Sequence, residues 1–293
     1  MPKPQRLLNQ YEEVTYDALQ RACAVDGAHV FPKVRVADVF RLENETITSA
    51  HLTYGLRAHF DFLVTDKDYQ PLFCVEFDGP LHESSPRQRE RDRLKDEICE
   101  HFRHSLLRVN SRYLTPAYRG LDLLTYFVDA WFLERAFSQA QTDGLVRYDE
   151  PFDVTFIYSN GQDGSKKWPY WLSLDIQEQI RALHEKGRIG QMIPSAYVGT
   201  DDAENYRCLS WLVLDASSVL CVKTGMKAQR FPAVYESELI AMLAMFDLYE
   251  LVRKVLAGDR SQVKDRAKFF SQELPAFEKQ YSICHVTACG ASV

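Results

Sequence analysis

The chain has 293 residues, of which 46% are hydrophobic and 26% charged, and its formal net charge is −6. These values are typical of a globular protein with room for two domains, and they exclude a disordered tail. No apolar run reaches the roughly 18 residues of a membrane helix, so we expect no membrane partner. Seven scattered cysteines, an odd number, are typical of reduced proteins, and we expect a cytoplasmic location.

A negative net charge repels nucleic acid when the molecule is considered as a whole. Basic residues are nevertheless frequent in the first 120 positions, where they could form a local basic rim. They are Lys33, Arg35, Arg57, Arg87, Arg89, Arg91, Arg93, Arg103, Arg108, Arg112 and Arg119. The overall charge therefore does not exclude nucleic acid as a partner.

Helical and strand periodicities alternate through the first 110 residues. The predicted elements are a helix over 7–24, strands over 30–40, 59–64 and 72–78, a helix over 86–104 and a strand over 105–109. Polar, irregular chain is expected over 41–58. Turn-forming residues at 65–71 predict an antiparallel hairpin between the two strands that flank them. The order α-β-β-β-α-β indicates an α/β domain.

The segment Gln141-Thr-Asp-Gly144 is the best candidate for a domain boundary. We therefore predict two domains, residues 1–140 and residues 145–293. The second is expected to be α+β, with elements at 154–158 (strand), 174–186 (helix), 208–214 and 218–223 (hairpin), 236–256 (helix capped by Ser237) and 261–281 (broken helix). It carries no motif for an activity, and we expect residues 145–293 to bind a ligand, substrate, protein partner or second copy of the chain.

Acidic residues lie toward one end of each strand of the predicted hairpin. Side chains alternate between the two faces of a strand, so Glu76 and Asp78 share one face while the opposite face is apolar. Residues before a hairpin turn lie opposite residues after it, so Asp61 is expected near Glu76. Two ionised carboxylates in contact repel each other. A Mg²⁺ or Mn²⁺ ion would remove that conflict, because it takes oxygen ligands and leaves positions for water and phosphate.

The helix after the hairpin is expected to bring a cation toward these acids. A helical wheel places Lys95 at the edge of the apolar stripe around Leu94 and Ile98, and Arg91 within it. Lys95 is then well placed to reach a bound water or phosphate, and Arg91 requires a carboxylate partner. Asp92 and its acidic neighbours on the helix are expected on a solvated face.

The ordered set of motifs resembles the PD-(D/E)XK restriction-endonuclease-like superfamily. It is closer to an uncharacterised bacterial branch akin to very-short-patch-repair endonucleases. The matching segments are Phe31-Pro-Lys-Val-Arg35, His59-Phe-Asp-Phe62, Val75-Glu-Phe-Asp-Gly79, His82, Arg91-Asp92 with Lys95-Asp96, and Leu106-Leu-Arg-Val109. The resemblance covers about residues 7–115. It implies a core with a mixed central sheet flanked by helices, followed here by the α+β domain.

The resemblance also implies an activity and a ligand set. The activity is metal-dependent hydrolysis of phosphodiester bonds, by an endo- or exonuclease that acts on DNA in preference to RNA, in bacterial phage defence or repair. Asp61 and Glu76 would hold Mg²⁺ or Mn²⁺, and Glu12 would match an acid contributed by the first helix. The lysine expected two residues after the glutamate is Asp78 here, and Lys95 is the candidate replacement.

The remaining matched positions have supporting roles. Arg91 and Asp92 belong to the helix motif, and His82 is a candidate base or phosphate ligand.

Structural alternatives stay open for these residues. Asp61 could cap a turn, Asp78-Gly79 is a common turn dipeptide, and Lys95 could form a surface ion pair. Because Asp78 stands at the lysine position and the net charge is negative, the alternative function is a catalytically inactive nuclease-fold subunit that binds nucleic acid or a protein partner. A third hypothesis is that the second half senses a ligand and gates the first.

Overall fold

The computed structural model describes residues 6–44, 47–79, 86–117, 120–156, 158–160, 166–169 and 171–287. They form two compact units. The first unit contains the chain up to Val154 together with Gln229–Val234, and the second contains Thr155–Ala228 and the chain from Tyr235 onward. A short segment from the second half of the sequence is therefore part of the first unit.

The first unit is a mixed α/β fold around a four-stranded sheet in the order β1-β2-β3-β4. The strands are β1 (His29–Arg35), β2 (His59–Thr65), β3 (Pro71–Phe77) and β4 (Ser105–Val109). The first three pair antiparallel, which confirms the predicted hairpin, and β3 and β4 pair parallel. The connection from β3 to β4 contains a long helix, as a parallel pair requires.

Five helices accompany this sheet. They are α1 (Gln10–Ala24), α2 (Val36–Val39), α3 (Ser49–Gly55), α4 (Pro86–His101) and α5 (Leu123–Thr142), with short 3₁₀ turns at Leu42–Asn44 and Ser111–Leu114. The predictions of a strand as far as residue 40 and of irregular chain over 41–58 were wrong, because α2 and α3 occupy parts of these segments. Both helices are at most two turns long, too short for a helical period to emerge from the sequence.

Strand β2 does not keep the simple alternation of side chains that is expected of a regular strand. Phe60 lies under the ammonium of Lys95 on α4, 5.4 Å from ring centroid to Nζ, whereas Phe62 stacks on Tyr16 of α1. The two phenylalanines therefore point to opposite faces of the sheet. The alternation breaks near Asp61, whose backbone N–H donates to the Glu76 carboxylate (3.2 Å).

The segment Gln229–Val234 covers the outer edge of β4. Leu106 and Arg230 exchange two backbone hydrogen bonds of 2.9 and 3.1 Å. The Gln229 side chain accepts from the Arg108 backbone N–H at 2.7 Å and donates to its carbonyl at 3.2 Å. Phe231 is buried against Phe73, with ring centroids 5.3 Å apart. This segment therefore closes an otherwise open edge of the sheet.

The second unit is built on a five-stranded antiparallel sheet in the order β10-β9-β8-β7-β11. Its strands are β5 (Tyr158–Asn160) and β6 (Lys166–Pro169), which form a separate pair, β7 (Ser195–Thr200), β8 (Tyr206–Val213), β9 (Ser218–Met226), β10 (Lys264–Asp265) and β11 (Ser282–Thr287). The predicted hairpin is confirmed as β8–β9. The strand expected over 154–158 begins instead as a 3₁₀ turn, Val154–Phe156.

Helices pack on both faces of this second sheet. They are α6 (Leu174–Glu185), α7 (Glu236–Leu256), α8 (Arg266–Lys268), a π-helical turn (Phe269–Glu273) and α9 (Leu274–Gln280). The predicted bounds of α7 are confirmed, but Tyr235 and not Ser237 precedes its first turn, without a side-chain cap. Within the described residues, no helix of either unit has the length and apolar character needed to cross a bilayer.

Candidate functional site

A cleft of about 540 Å³ opens in the first unit where the ends of three strands meet α4. Four charged side chains define its floor: Lys33 from β1, Asp61 from β2, Glu76 from β3 and Lys95 from α4. Glu12, from the first turn of α1, contacts Lys33 from the other side. Five elements that are distant in the sequence thus bring three carboxylates and two ammonium groups together.

Asp61 and Glu76 are held side by side by reciprocal hydrogen bonds. The backbone N–H of Asp61 donates to Glu76 Oε1 at 3.2 Å, and the backbone N–H of Phe77 donates to Asp61 Oδ2 at 2.9 Å. The second oxygen of each carboxylate contacts a lysine: Lys33 Nζ lies 2.6 Å from Asp61 Oδ1, and Lys95 Nζ lies 2.7 Å from Glu76 Oε2. Each acid is therefore fixed by one amide and one ammonium.

Lys95 is buried and held from three sides. Its side chain is 8% exposed, and besides Glu76 it donates to the His59 carbonyl at 2.9 Å and lies over the Phe60 ring. Burial is the largest single influence and opposes the charge of Lys95, but Glu76, Tyr54 and Asp61 together outweigh it, so the pKa of the ammonium is raised. Lys95 thus stays charged and orients Glu76.

Burial is also the largest influence on Glu76. It raises the pKa of the carboxyl, and the nearby charge of Asp61 acts in the same direction, while Lys95 opposes both. A carboxylate that is poorly solvated and faces a second carboxylate gains from any additional cation that can approach it. This is the electrostatic condition for a cation site.

Lys33 is a site residue to which the sequence gave no role of its own. Its Nζ bridges Glu12 Oε1 at 2.8 Å and Asp61 Oδ1 at 2.6 Å. The other oxygen of Glu12 accepts from the Asn9 backbone N–H at 3.0 Å, which completes a capping box at the start of α1. In the sequence, Lys33 stood out only as one of the many basic residues of the first 120 positions and as part of the Phe31-Pro-Lys-Val-Arg35 motif. Glu12 therefore caps a helix and contacts the site at the same time.

A second charged cluster surrounds Arg108 of β4, whose side chain is 6% exposed. It lies 2.8 Å from Asp96, 3.6 Å from Asp92 and 3.7 Å from Asp78. Burial opposes the charge of Arg108, but the carboxylates of Asp96 and Glu76 outweigh it and raise the pKa of the guanidinium. Asp78 and Asp92 also line the cleft beside Glu76.

Two expectations for α4 were therefore wrong. Asp92 and Asp96 do not lie on a purely solvated face, because buried Arg108 attracts both carboxylates. Arg91 is exposed and lines the cleft, although the helical wheel placed it within the buried stripe. His82, the candidate base, lies outside the described residues.

The cleft continues into a second cavity of about 520 Å³ lined by α3 and α4. The two cavities share Tyr54, Arg57, Ala58 and Arg91, and the second also contains Arg87. The side chains of the three arginines are exposed and make no hydrogen bond or ion pair within the part of the chain that the structure describes. We call the surface formed by Arg57, Arg87 and Arg91 the arginine groove.

The carboxylate oxygens of Asp61 and Glu76 are the kind of donor atom that a divalent cation such as Mg²⁺ takes. No group of three or more His, Cys, Asp or Glu side chains among the described residues is arranged to hold a metal. Mg²⁺, however, is commonly held by one or two protein carboxylates, with water and substrate phosphate filling the other positions. Asp61 and Glu76 in an open cleft fit that donor set. Asp61 would have to give up its contact with Lys33 in exchange for the metal.

Comparisons with known proteins identify a matching family but no activity. A family model described as "Protein of unknown function (DUF2726)" matches residues 4–119. The match spans the chain from α1 through β4, and it includes every residue of the two charged clusters and of the arginine groove. No curated protein and no solved structure matches the chain.

Proposed function

We propose that the first unit is a Mg²⁺- or Mn²⁺-dependent nuclease that hydrolyses phosphodiester bonds, with DNA as the favoured substrate. The observation that carries this proposal is the pairing of Asp61 and Glu76, each with its own lysine, at a cleft that leads into the arginine groove. Apart from the short helices α2 and α3 between β1 and β2, the order α-β-β-β-α-β and the mixed sheet agree with a restriction-endonuclease-like core, which we propose as the finer description of the fold.

In this proposal, the chain holds the acids ready for the cation and the substrate. Asp61 and Glu76 would bind the metal, and their backbone and lysine contacts keep the two carboxylates oriented. When bound, the ion would stabilise charge on the phosphate and lower the pKa of a water molecule. Lys95 favours the ionised form of Glu76 against burial, which raises the pKa of that carboxyl. Asp78 and Asp92 are held by Arg108 at the edge of the cleft.

The arginine groove supports nucleic acid as the substrate class. Arg57, Arg87 and Arg91 lie along one continuous cleft, and phosphate diesters carry one negative charge per nucleotide. A chain with a net charge of −6 leaves these three arginines without a carboxylate partner in its described residues. A polyanion that runs from the groove to Asp61 and Glu76 would supply the missing negative charge.

Cleavage by the full-length chain tests the proposal. Supercoiled plasmid, linear duplex, single-stranded DNA and RNA would be incubated with Mg²⁺ or Mn²⁺ and compared with an EDTA control. Asp61→Asn and Glu76→Gln are each expected to lower the rate by about 100-fold or more, because a lost ligand removes several kcal/mol of charge stabilisation. Asp17→Asn, on the exposed face of α1, is the matched control and should cleave normally.

Equal cleavage by wild type, Asp61→Asn and Glu76→Gln would refute the proposed site. A wild-type chain that binds DNA without cleaving it under any metal condition would favour the inactive nuclease-fold subunit. That alternative is motivated by Asp78 at the expected lysine position and by the lysine partners that both acids already have. A role in bacterial defence or repair, and binding of a partner by the second unit, are proposals that need separate assays.

A further inference from the structure

Lys33 has an unusual backbone conformation for a residue within a β-strand. Its φ of +55° lies in the left-handed region, which a residue with a Cβ atom rarely adopts. The β1–β2 ladder is in register on either side, at Pro32–Phe62 and Val34–Phe60. The contacts around Lys33 must therefore hold it in this conformation, and such strain is frequent at functional sites.

The two lysines of the site are held differently. Lys95 is 8% exposed and is fixed by a carboxylate, a backbone carbonyl and an aromatic ring. Lys33 is 27% exposed, and its ammonium hydrogen-bonds to the carboxylates of Glu12 and Asp61. An ammonium on a flexible side chain that opens toward a cleft can leave its position at a lower cost than a buried one.

The position of Lys33 conflicts with a cation bound by Asp61. Asp61 Oδ2 already accepts a backbone hydrogen bond from Phe77, and Oδ1 is the oxygen that Lys33 contacts at 2.6 Å. A divalent cation coordinated by Asp61 would lie close to the Lys33 ammonium if that group stayed in place. At such distances two positive charges repel strongly.

We propose that Lys33 is a displaceable internal cation that competes with the divalent metal for Asp61. Lys33 neutralises Glu12 and Asp61 while no metal is bound, and it leaves Asp61 when a metal binds. The inference rests on the proposed function, because it assumes that Asp61 is a metal ligand. It makes Lys33 a positioning residue that sets how readily the site accepts its metal.

Metal titration of the full-length chain tests this competition without nucleic acid. Mn²⁺ binding would be measured by isothermal titration calorimetry for wild type and Lys33→Met. We expect Lys33→Met to bind about tenfold more tightly, which corresponds to about 1.4 kcal/mol. Arg57→Met removes a positive charge from the same cleft without touching a carboxylate, and its affinity should stay within about twofold of wild type.

Thermal unfolding gives a second readout of the same competition. In EDTA, Lys33→Met should melt below wild type, because Glu12 and Asp61 then face each other without a cation. Saturating Mn²⁺ should close most of that gap, since the metal replaces the missing ammonium and binds the folded chain. Lys33→Gln, which keeps a neutral hydrogen-bond donor, serves if Lys33→Met does not fold.

Several results would overturn the inference. They are equal or weaker Mn²⁺ binding by the Lys33 variants, an equal gain in affinity by Arg57→Met, or no Mn²⁺ binding by any chain. Failure of the proposed function is distinguishable from these results. A wild-type chain that binds Mn²⁺ but cleaves no nucleic acid would refute the nuclease, while a tenfold gain in Lys33→Met would still support the competition.

Discussion

The two units of this chain bury polar groups of different kinds. In the first unit, Glu76, Lys95 and Arg108 are buried charged residues. The buried polar residues of the second unit are all uncharged: Ser173, Gln191, Ser195, Ser210 and Thr224. A buried charge costs several kcal/mol even when it is paired, whereas a hydrogen-bonded neutral group costs little. Among the described residues, the buried charged side chains, which are the most costly to desolvate, are thus concentrated in one unit.

The neutral groups of the second unit have an evident structural use. The Gln191 side chain accepts from the Val213 N–H and donates to the Ile193 carbonyl and the Ser195 hydroxyl, and Ser210 donates to the Ser195 carbonyl. These bonds fix a loop against a sheet. The charges of the first unit border a cleft instead, and ion pairs of this kind can often be replaced by apolar residues without loss of stability. The contrast is consistent with the proposal that the charges of the first unit serve chemistry at the cleft.

Lys95→Met should cause the largest loss of unfolding free energy, and it tests the difference between the two units most directly. It leaves Glu76 buried beside Asp61 without its cation, so the first unit should lose about 3–5 kcal/mol of unfolding free energy. Hydrogen exchange of the β3 and β4 amides in increasing urea would measure this loss in the first unit separately. Ser210→Ala, the matched neutral site, should cost the second unit only about 1 kcal/mol. Comparable losses in the two variants would contradict the distinction between the units.

Phe231→Ala should destabilise the first unit although the residue lies far along the sequence. Phe231 belongs to the segment that covers β4; it is 2% exposed and packs on Phe73. Its truncation should cost about 3 kcal/mol, the usual effect of a large cavity. Hydrogen exchange should show the loss in β3 and β4, whereas Phe277→Ala should show it in the second unit. A loss confined to the second unit after Phe231→Ala would contradict the assignment of this segment.

His104 should give a smaller effect that depends on pH. Burial lowers the pKa of His104 from 6.5 to about 4. The unfolded chain binds the proton more readily, so the stability from neutral His104 is fully present above about pH 6.5 and is lost as the pH falls toward 4. We expect the first unit to lose roughly 2 kcal/mol over this interval, allowing for partial exposure. His104→Gln should flatten the urea-midpoint profile in that range, and His285→Gln should not.

Local sequence signals explain the parts of the fold that were predicted. The turn residues at 65–71 are enough to specify the β2–β3 hairpin, and the long apolar period specifies α7. The break in alternation at Asp61 has a different origin. It lies where the Asp61 N–H donates to the Glu76 carboxylate, fifteen positions away in the sequence. No local pattern reports such a contact.

The same distinction applies to the candidate site. Asp61, Glu76 and Lys95 were named from strand alternation and helical spacing, which place side chains relative to their own elements. Lys33 has partners 21 and 28 positions away and a left-handed backbone, so its role follows only from the assembled sheet. Arg108 is a similar case. The helical wheel predicted that Asp92 and Asp96 face solvent, but both carboxylates lie near buried Arg108.

The late position of Gln229–Val234 in the chain has a consequence for biosynthesis. During translation, β1 to β4 emerge more than a hundred residues before the segment that hydrogen-bonds to Leu106 and Arg108 and buries Phe231 against the sheet. The nascent sheet therefore keeps an uncovered β4 edge until most of the second unit has been synthesised. A ribosome-bound chain that stops before residue 229 should therefore be protease-sensitive at this sheet, whereas a chain that extends past Val234 and has emerged from the ribosome should be protected there.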